Sequence, residues 1–212
     1  MRIRTLSFIL LLSFTLSAYS QSLIDEQKAK RFVSLAEGAL HEKNYDSALF
    51  YYLQADSICP SLMDATTYNN MAGVYYLLKQ YDKAIYTCKK AINLDSINIK
   101  SYFNLAAAYT ASDSLKKAIE VYNKIIALDS LQKDALFNMG TLYYKLKDYK
   151  NTVDSYIKVL DIDTNDSKIY VNIAIAYASM GNNDKLLEYM RIAAKMGDEE
   201  AQEFLSKTRK EW

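Results

Sequence analysis

Four asparagines, Asn70, Asn104, Asn138 and Asn172, recur every 34 residues. A side-chain amide both donates and accepts, so a row of amides can hold a peptide backbone through its N–H and C=O groups, whatever its side chains. At 100° per residue, Lys100, Asn104, Ala107 and Ala111 share one helical face. The matching sets are Thr66, Asn70, Gly73, Leu77; Asp134, Asn138, Thr141, Lys145; and Lys168, Asn172, Ile175, Ser179. Gly73, Ala107 and Thr141 are small and leave room for a ligand backbone. The candidate binding residues are the four asparagines with Lys100 and Lys168, flanked by Tyr76, Phe103, Phe137 and Tyr144. Asparagine is roughly 0.65 kcal/mol worse than alanine inside a helix. Four idle copies would therefore cost ~2–3 kcal/mol on that scale. If they serve binding, Asn104→Ala and Asn138→Ala each stabilise the free chain and weaken partner binding. The alternative is that each amide satisfies a polar neighbour between repeats.

Other chemistry is sparse. The single histidine, His41, sits in the polar stretch HEKN. No Cys/His spacing fits a metal, and no Gly-rich phosphate loop appears. Asp161, Asp163 and Asn165 match the first, third and fifth positions of a calcium loop. The required glycine is replaced by Asp166 and the closing glutamate by Asn172, so no metal is expected. Asn165-Asp166-Ser167 is also a glycosylation sequon. Cys59 and Cys88 either pair or stay free, with a buried free thiol the favoured state of Cys88. The reading is of a non-enzyme without cofactor.

The elements that must carry these residues are helices. In Lys100–Leu131, Tyr102, Leu105, Ala106 and Tyr109 fall on one helical face, and Ala118, Val121, Tyr122, Ile125 and Ile126 on another. The polar stretch TASDSLKK between them turns the chain, and Asp129-Ser130 offers oxygens to the N–H groups of the next helix. One helix pair cannot bury its apolar surface alone and needs copies on both sides. Tyr109 recurs as Tyr75, Tyr143 and Tyr177. A weaker first copy holds Phe32, Leu35, Ala36, Ala48 and Tyr52, with about two extra residues near Met63-Asp64.

This pattern resembles the tetratricopeptide repeat over roughly Ala29 to Gly197. The departures are Thr152 and Leu186 for the usual alanine, and Ser96, Ser130 and Thr164 where a proline usually stands. The resemblance implies an all-α, right-handed superhelical solenoid of helix-turn-helix repeats, about 29–62, 65–98, 99–132, 133–166 and 167–197. It implies a concave groove lined by the first helices, and an asparagine ladder that grips an extended peptide. Chaperone-tail clamps of this family use Lys, Arg and Asn; Asn70 and Lys100 fit, but Asn104 stands where the arginine belongs.

The ends read differently. Arg2 and Arg4, an apolar core over 6–16 and the small residues of Ala18-Tyr19-Ser20 form an export signal cut before Gln21. That core is short of the ~20 residues of a membrane span, although an uncleaved anchor is the alternative. Removing residues 1–20 takes Lys plus Arg from 26 to 24 against 25 acidic residues, a net charge of about −1. Such a surface suits neither nucleic acid nor membrane insertion. The mature chain is expected to form one solenoid domain in the periplasm or outside the cell. After Gly197, Asp198 starts a capping helix with Ala201, Phe204 and Leu205 on its apolar stripe; Phe204 is expected to cover Ile192 and Met196, and Trp212 folds back or frays. The function expected is a scaffold that binds a protein or peptide partner. The alternative is an assembly subunit that binds through its ends or its Tyr-rich outer face.

Overall fold

The structure, a computed structural model, describes the backbone of residues 2–208 and the side chains of residues 18–208. Trp212, Arg209 and Lys210 lie outside the described residues. Eleven α-helices and one short 3-10 turn are present, with no strand among the described residues. In order they are α1 (Arg2–His41), α2 (Tyr45–Ile58), α3 (Ala65–Leu77), α4 (Tyr81–Leu94), α5 (Ile99–Ala111), α6 (Leu115–Leu128), α7 (Lys133–Lys145), α8 (Tyr149–Ile162), α9 (Ser167–Ser179), α10 (Asn183–Lys195) and α11 (Glu199–Lys207). The 3-10 turn, Pro60–Leu62, absorbs the extra residues before α3.

Odd- and even-numbered helices join through one recurring turn. Its signature is an N–H reaching back five residues: Asn44 to Ala39, Gln80 to Tyr75, Ser114 to Tyr109, Asp148 to Tyr143 and Asn182 to Tyr177, at 2.8–2.9 Å. This bond is the six-to-one closure of a helix that ends on a left-handed residue. The left-handed position is Lys43, Lys79, Asp113, Lys147 and Gly181 in turn, with φ between 58° and 74°. Only the last is the glycine that this backbone favours. An L-residue there costs ~1–2 kcal/mol, and glycine gives back ~0.5–1 through the entropy of the unfolded chain. Lys147→Gly is therefore expected to stabilise the chain by about 0.5–1 kcal/mol, read as a raised urea midpoint. A lowered midpoint would mean that the Lys147 side chain holds the turn in some other way.

Contacts divide the chain into two compact units, Met1–Ala108 and Tyr109–Trp212. The division falls inside α5 rather than at a linker. In the first unit α1 packs on α2, α2 on α3 and α3 on α4. Ala36, Ala48, Tyr52, Ala55 and Val74 are fully buried in its core. Leu35 departs from expectation: it is 41 % exposed, whereas its counterpart Met71 is 4 %. Met71 shares a core cluster with buried residues of α1 and α2, whereas Leu35 has no helix pair before it among the described residues. Helix α1 runs unbroken through Ser20 and Gln21. A polar clamp joins three helices: the Tyr68 hydroxyl donates to Asp56 at 2.5 Å, and the Lys90 ammonium lies 3.4 Å from the same carboxylate and 4.7 Å above the Tyr68 ring. Both cysteines are free, and burial pushes the Cys88 thiol up to about 12.

In the second unit α6 packs on α7, and α7 to α11 pack each on the next. Gly140 lies under the ring of Tyr156; a Cβ there would stand 2.8 Å from Cε1. That ring is packed against Phe137 and its hydroxyl lies 3.1 Å from Thr141, so it cannot swing away freely. Overpacking costs ~1–3 kcal/mol and alanine regains ~1 in helix propensity. Gly140→Ala is expected to destabilise by about 1 kcal/mol, the opposite of the usual glycine-to-alanine gain in a helix. A raised thermal midpoint would show that the ring yields.

The second unit ends on α11. Gly197 takes φ +92° and Asp198 caps the helix, accepting from the Ala201 N–H at 3.0 Å, as the sequence implies. Asp198 also accepts from the Ser167 hydroxyl, and Gln202 donates to the Ala194 carbonyl. The buried anchors are Ala201 and Leu205, both at 0 % exposure. Phe204 is only half-buried, and Met196 beneath its expected position is 40 % exposed. On a nine-residue helix the stripe facing α9 and α10 runs 201–205, which leaves residue 204 at its margin.

Candidate functional site

The predicted face is present on each helix that carries an asparagine, with one gradient of exposure. On α3, Thr66 and Leu77 are exposed while Asn70 and Gly73 are half-buried; α5 repeats this with Lys100, Ala111 and Asn104, Ala107. In the second unit α7 shows it with Asp134, Lys145 and Asn138, Thr141, and α9 with Lys168, Ser179 and Asn172, Ile175. Each asparagine therefore sits at half depth, where an amide can serve either the chain or a ligand.

The amides are not equivalent. Asn104 Nδ2 donates to Asn69 Oδ1 at 2.8 Å, which ties α5 to α3. Asn69 is 2 % exposed and stands where later repeats carry Phe103 and Phe137. Asn104 thus belongs to a pair between repeats with buried Asn69, the alternative to a ligand-facing amide. The side-chain amides of Asn138 and Asn172 make no hydrogen bond among the described residues, whereas that of Asn70 lies by the Tyr52 hydroxyl and pulls on its proton. Asn69 was missed as a site residue; its signal was a polar residue at a position otherwise aromatic.

The flanking residues divide. Tyr144 reaches the face of α9, with its hydroxyl 3.3 Å from Ser179 Oγ, while its ring tilts onto Tyr149 at 5.5 Å. Tyr76 tilts onto Tyr81 at 5.8 Å, at the turn between α3 and α4. Phe103 is half-buried, and so is Phe137, whose ring packs on Tyr156 at 5.6 Å and contributes to the core more than to the face. Lys100 and Lys168 are exposed.

The turns between repeats use their oxygens locally. Asp129 accepts from the Leu131 N–H and from Gln132, and Asp95 from the Ile97 N–H. These close Asx turns two residues on, instead of capping the following helix as expected, because the short carboxylate meets its own turn first. Asp163 accepts from the Asn165 N–H and pairs with Lys133 at 2.7 Å. The bonded ammonium holds the Asp163 carboxyl below its usual range. The central carboxylate of the calcium-like stretch is thus already engaged by a cation of this chain.

Tetratricopeptide repeat family models match residues 63–130 and 133–166. The chain is a tetratricopeptide repeat protein. Its fold is that of the tetratricopeptide solenoids, with a C-terminal capping helix. A crystal structure of MamA protein superposes with a TM-score of 0.74 at 21 % identity, covering 83 % of this chain and 95 % of that one. YrrB, described as a TPR protein with an unusual peptide-binding site, gives 0.71 at 19 % identity over 90 % and 98 % of the two chains. A tetratricopeptide repeat protein from Parabacteroides merdae gives 0.73 at 19 % identity over 82 % and 68 %. Among curated proteins, the mitochondrial import receptor subunit TOM34 of Pongo abelii is 33 % identical over 76 residues, 36 % of this chain. The tetratricopeptide protein spans about a quarter (24 %) of the length of that relative.

Proposed function

We propose that this protein is an exported, non-enzymatic scaffold that holds an extended segment of a protein partner against the first-helix faces, within the periplasm or cell envelope. The supporting observation is the pair Asn138 and Asn172: half-buried, on the predicted face, with amides unspent inside the described chain. Each such amide presents a donor and an acceptor to a passing peptide bond. The export part rests on the basic start, the short apolar core and the small residues before Gln21.

Capture from an envelope extract on the chain lacking residues 1–20 tests the scaffold. The double variant Asn138→Ala, Asn172→Ala should retain its fold and lose the captured partner by about five- to a hundredfold, at ~0.5–1.5 kcal/mol per lost hydrogen bond. Equal capture by both proteins would remove the ladder from the reading. Intact mass of the exported form should begin at Gln21; a membrane-bound form retaining Met1 to Ser20 would show an anchor.

A second reading, assembly through the outer face, has one observation in its favour. Phe50 and Tyr86 are 55 % and 65 % exposed on α2 and α4, whereas the same position in later repeats holds Glu120, Asp154 and Glu188. Self-association in light scattering that disappears with Phe50→Glu and Tyr86→Glu would favour it.

A further inference from the structure

On the first-helix face of the first repeat, we infer that Glu37, Asn70 and the buried phenol of Tyr52 form a subsite for a basic side chain of the bound peptide. The inference rests on the peptide-binding reading of these faces and adds a chemical preference to it.

The starting point is an unsatisfied group. Tyr52 is 0 % exposed and its hydroxyl has no hydrogen-bond partner among the described residues. Buried hydroxyls nearly always have one. Its counterpart in the fourth repeat, Tyr156, does: its hydroxyl lies 3.1 Å from Thr141 Oγ1, fifteen residues earlier in the chain. Fifteen residues before Tyr52 stands Glu37. The corresponding positions of the other repeats are Gly73, Ala107 and Ile175, so a carboxylate occurs here alone.

The neighbours fit one ligand chemistry. Burial, then the Glu37 carboxylate, pushes the Tyr52 phenol up to about 12, while the Asn70 amide pulls it back. The Asn70 amide is therefore near enough to pull on this hydroxyl and Glu37 lies within its field, while no close, well-aligned hydrogen bond satisfies it. Glu37 is exposed and makes no ion pair among the described residues. Lys30, one helical face-repeat earlier on α1, is already bonded to Glu26 at 2.5 Å. The three groups descend in depth from exposed Glu37 through half-buried Asn70 to fully buried Tyr52. An ammonium or guanidinium carries several donors and no acceptor. Seated between Glu37 and Asn70, it pairs with the carboxylate and the amide oxygen and extends toward the phenol oxygen beneath them. A carboxylate ligand would meet Glu37 as a like charge, and an apolar group would leave all three unpaired.

A randomised peptide array tests this with the chain lacking residues 1–20, its Glu37→Gln and Glu37→Lys variants, and the Asn138→Ala, Asn172→Ala double variant. The peptides retained by the parent protein should be enriched in Lys or Arg at one fixed position. For one such peptide Kd should rise about two- to fivefold with Glu37→Gln, the range of an exposed charge pair, and not at all when its basic residue is Gln. Glu37→Lys should turn the preference at that position to Asp or Glu. Peptides that are retained and then lost with the double variant, but show no basic preference or one indifferent to residue 37, overturn the subsite and leave the groove standing. If no peptide is retained at all, the peptide-binding reading fails and the subsite fails with it.

Discussion

Leu205→Ala is expected to destabilise the second unit by about 2–4 kcal/mol, the largest loss for any single truncation in α11. Leu205 is fully buried against Val171, Ala174, Met190, Ala193 and Ala194. Truncation removes the transfer free energy of its side chain and leaves a void that three alanines and a valine cannot fill. The helix has few other anchors: Ala201 is small, and the Asp198 and Gln202 hydrogen bonds contribute only ~0.5–1.5 kcal/mol each. Phe204→Ala should cost clearly less, about 1–2 kcal/mol, since half of its surface stays in water. Urea unfolding of the two variants side by side checks the order. If Phe204→Ala costs more than Leu205→Ala, α11 docks through a different stripe from the one described.

Much of this architecture was legible because a repeated local pattern carries it. The 34-residue phase places Leu105, Ala106, Ile125 and their counterparts in the core, and the graded exposure around the four asparagines follows from the same helical period. What was not legible depends on neighbours distant in the sequence. The phase makes Leu35 equivalent to Met71, but burial at that position requires a preceding helix pair. The partner of Asn104 lies 35 residues away on another helix, and periodicity does not say which of two adjacent asparagines turns inward. The left-handed turn residues were open to reading, since Lys79, Asp113 and Lys147 align with Gly181. The Asx turns at Asp95 and Asp129 were missed for a local reason. A carboxylate before a helix has two competing sets of N–H groups, and composition does not choose between them.

Asn104→Ala is expected to destabilise the first unit by about 1–3 kcal/mol, whereas Asn138→Ala leaves the second unchanged or slightly more stable. The asymmetry follows from what each amide touches. Asn104 supplies the donor to Asn69 Oδ1, and Asn69 is almost wholly out of water. Alanine at 104 strands that acceptor, and the cost of an unsatisfied buried group outweighs the ~0.65 kcal/mol of helix propensity regained. Asn138 strands nothing, so only the propensity gain remains. A double change separates the pair from the position: with Asn69→Phe, the residue type of the next two repeats, Asn104→Ala should lose most of its cost, because no polar partner is left unpaired. Thermal unfolding of the four proteins closes this cycle, with an expected coupling of ~1–2 kcal/mol. A coupling near zero would separate Asn104 from Asn69 energetically and return it to the ligand-facing set with Asn138 and Asn172. A loss of stability in Asn138→Ala would show that its amide is spent inside the chain, and the ladder would then lose the residue on which it chiefly rests.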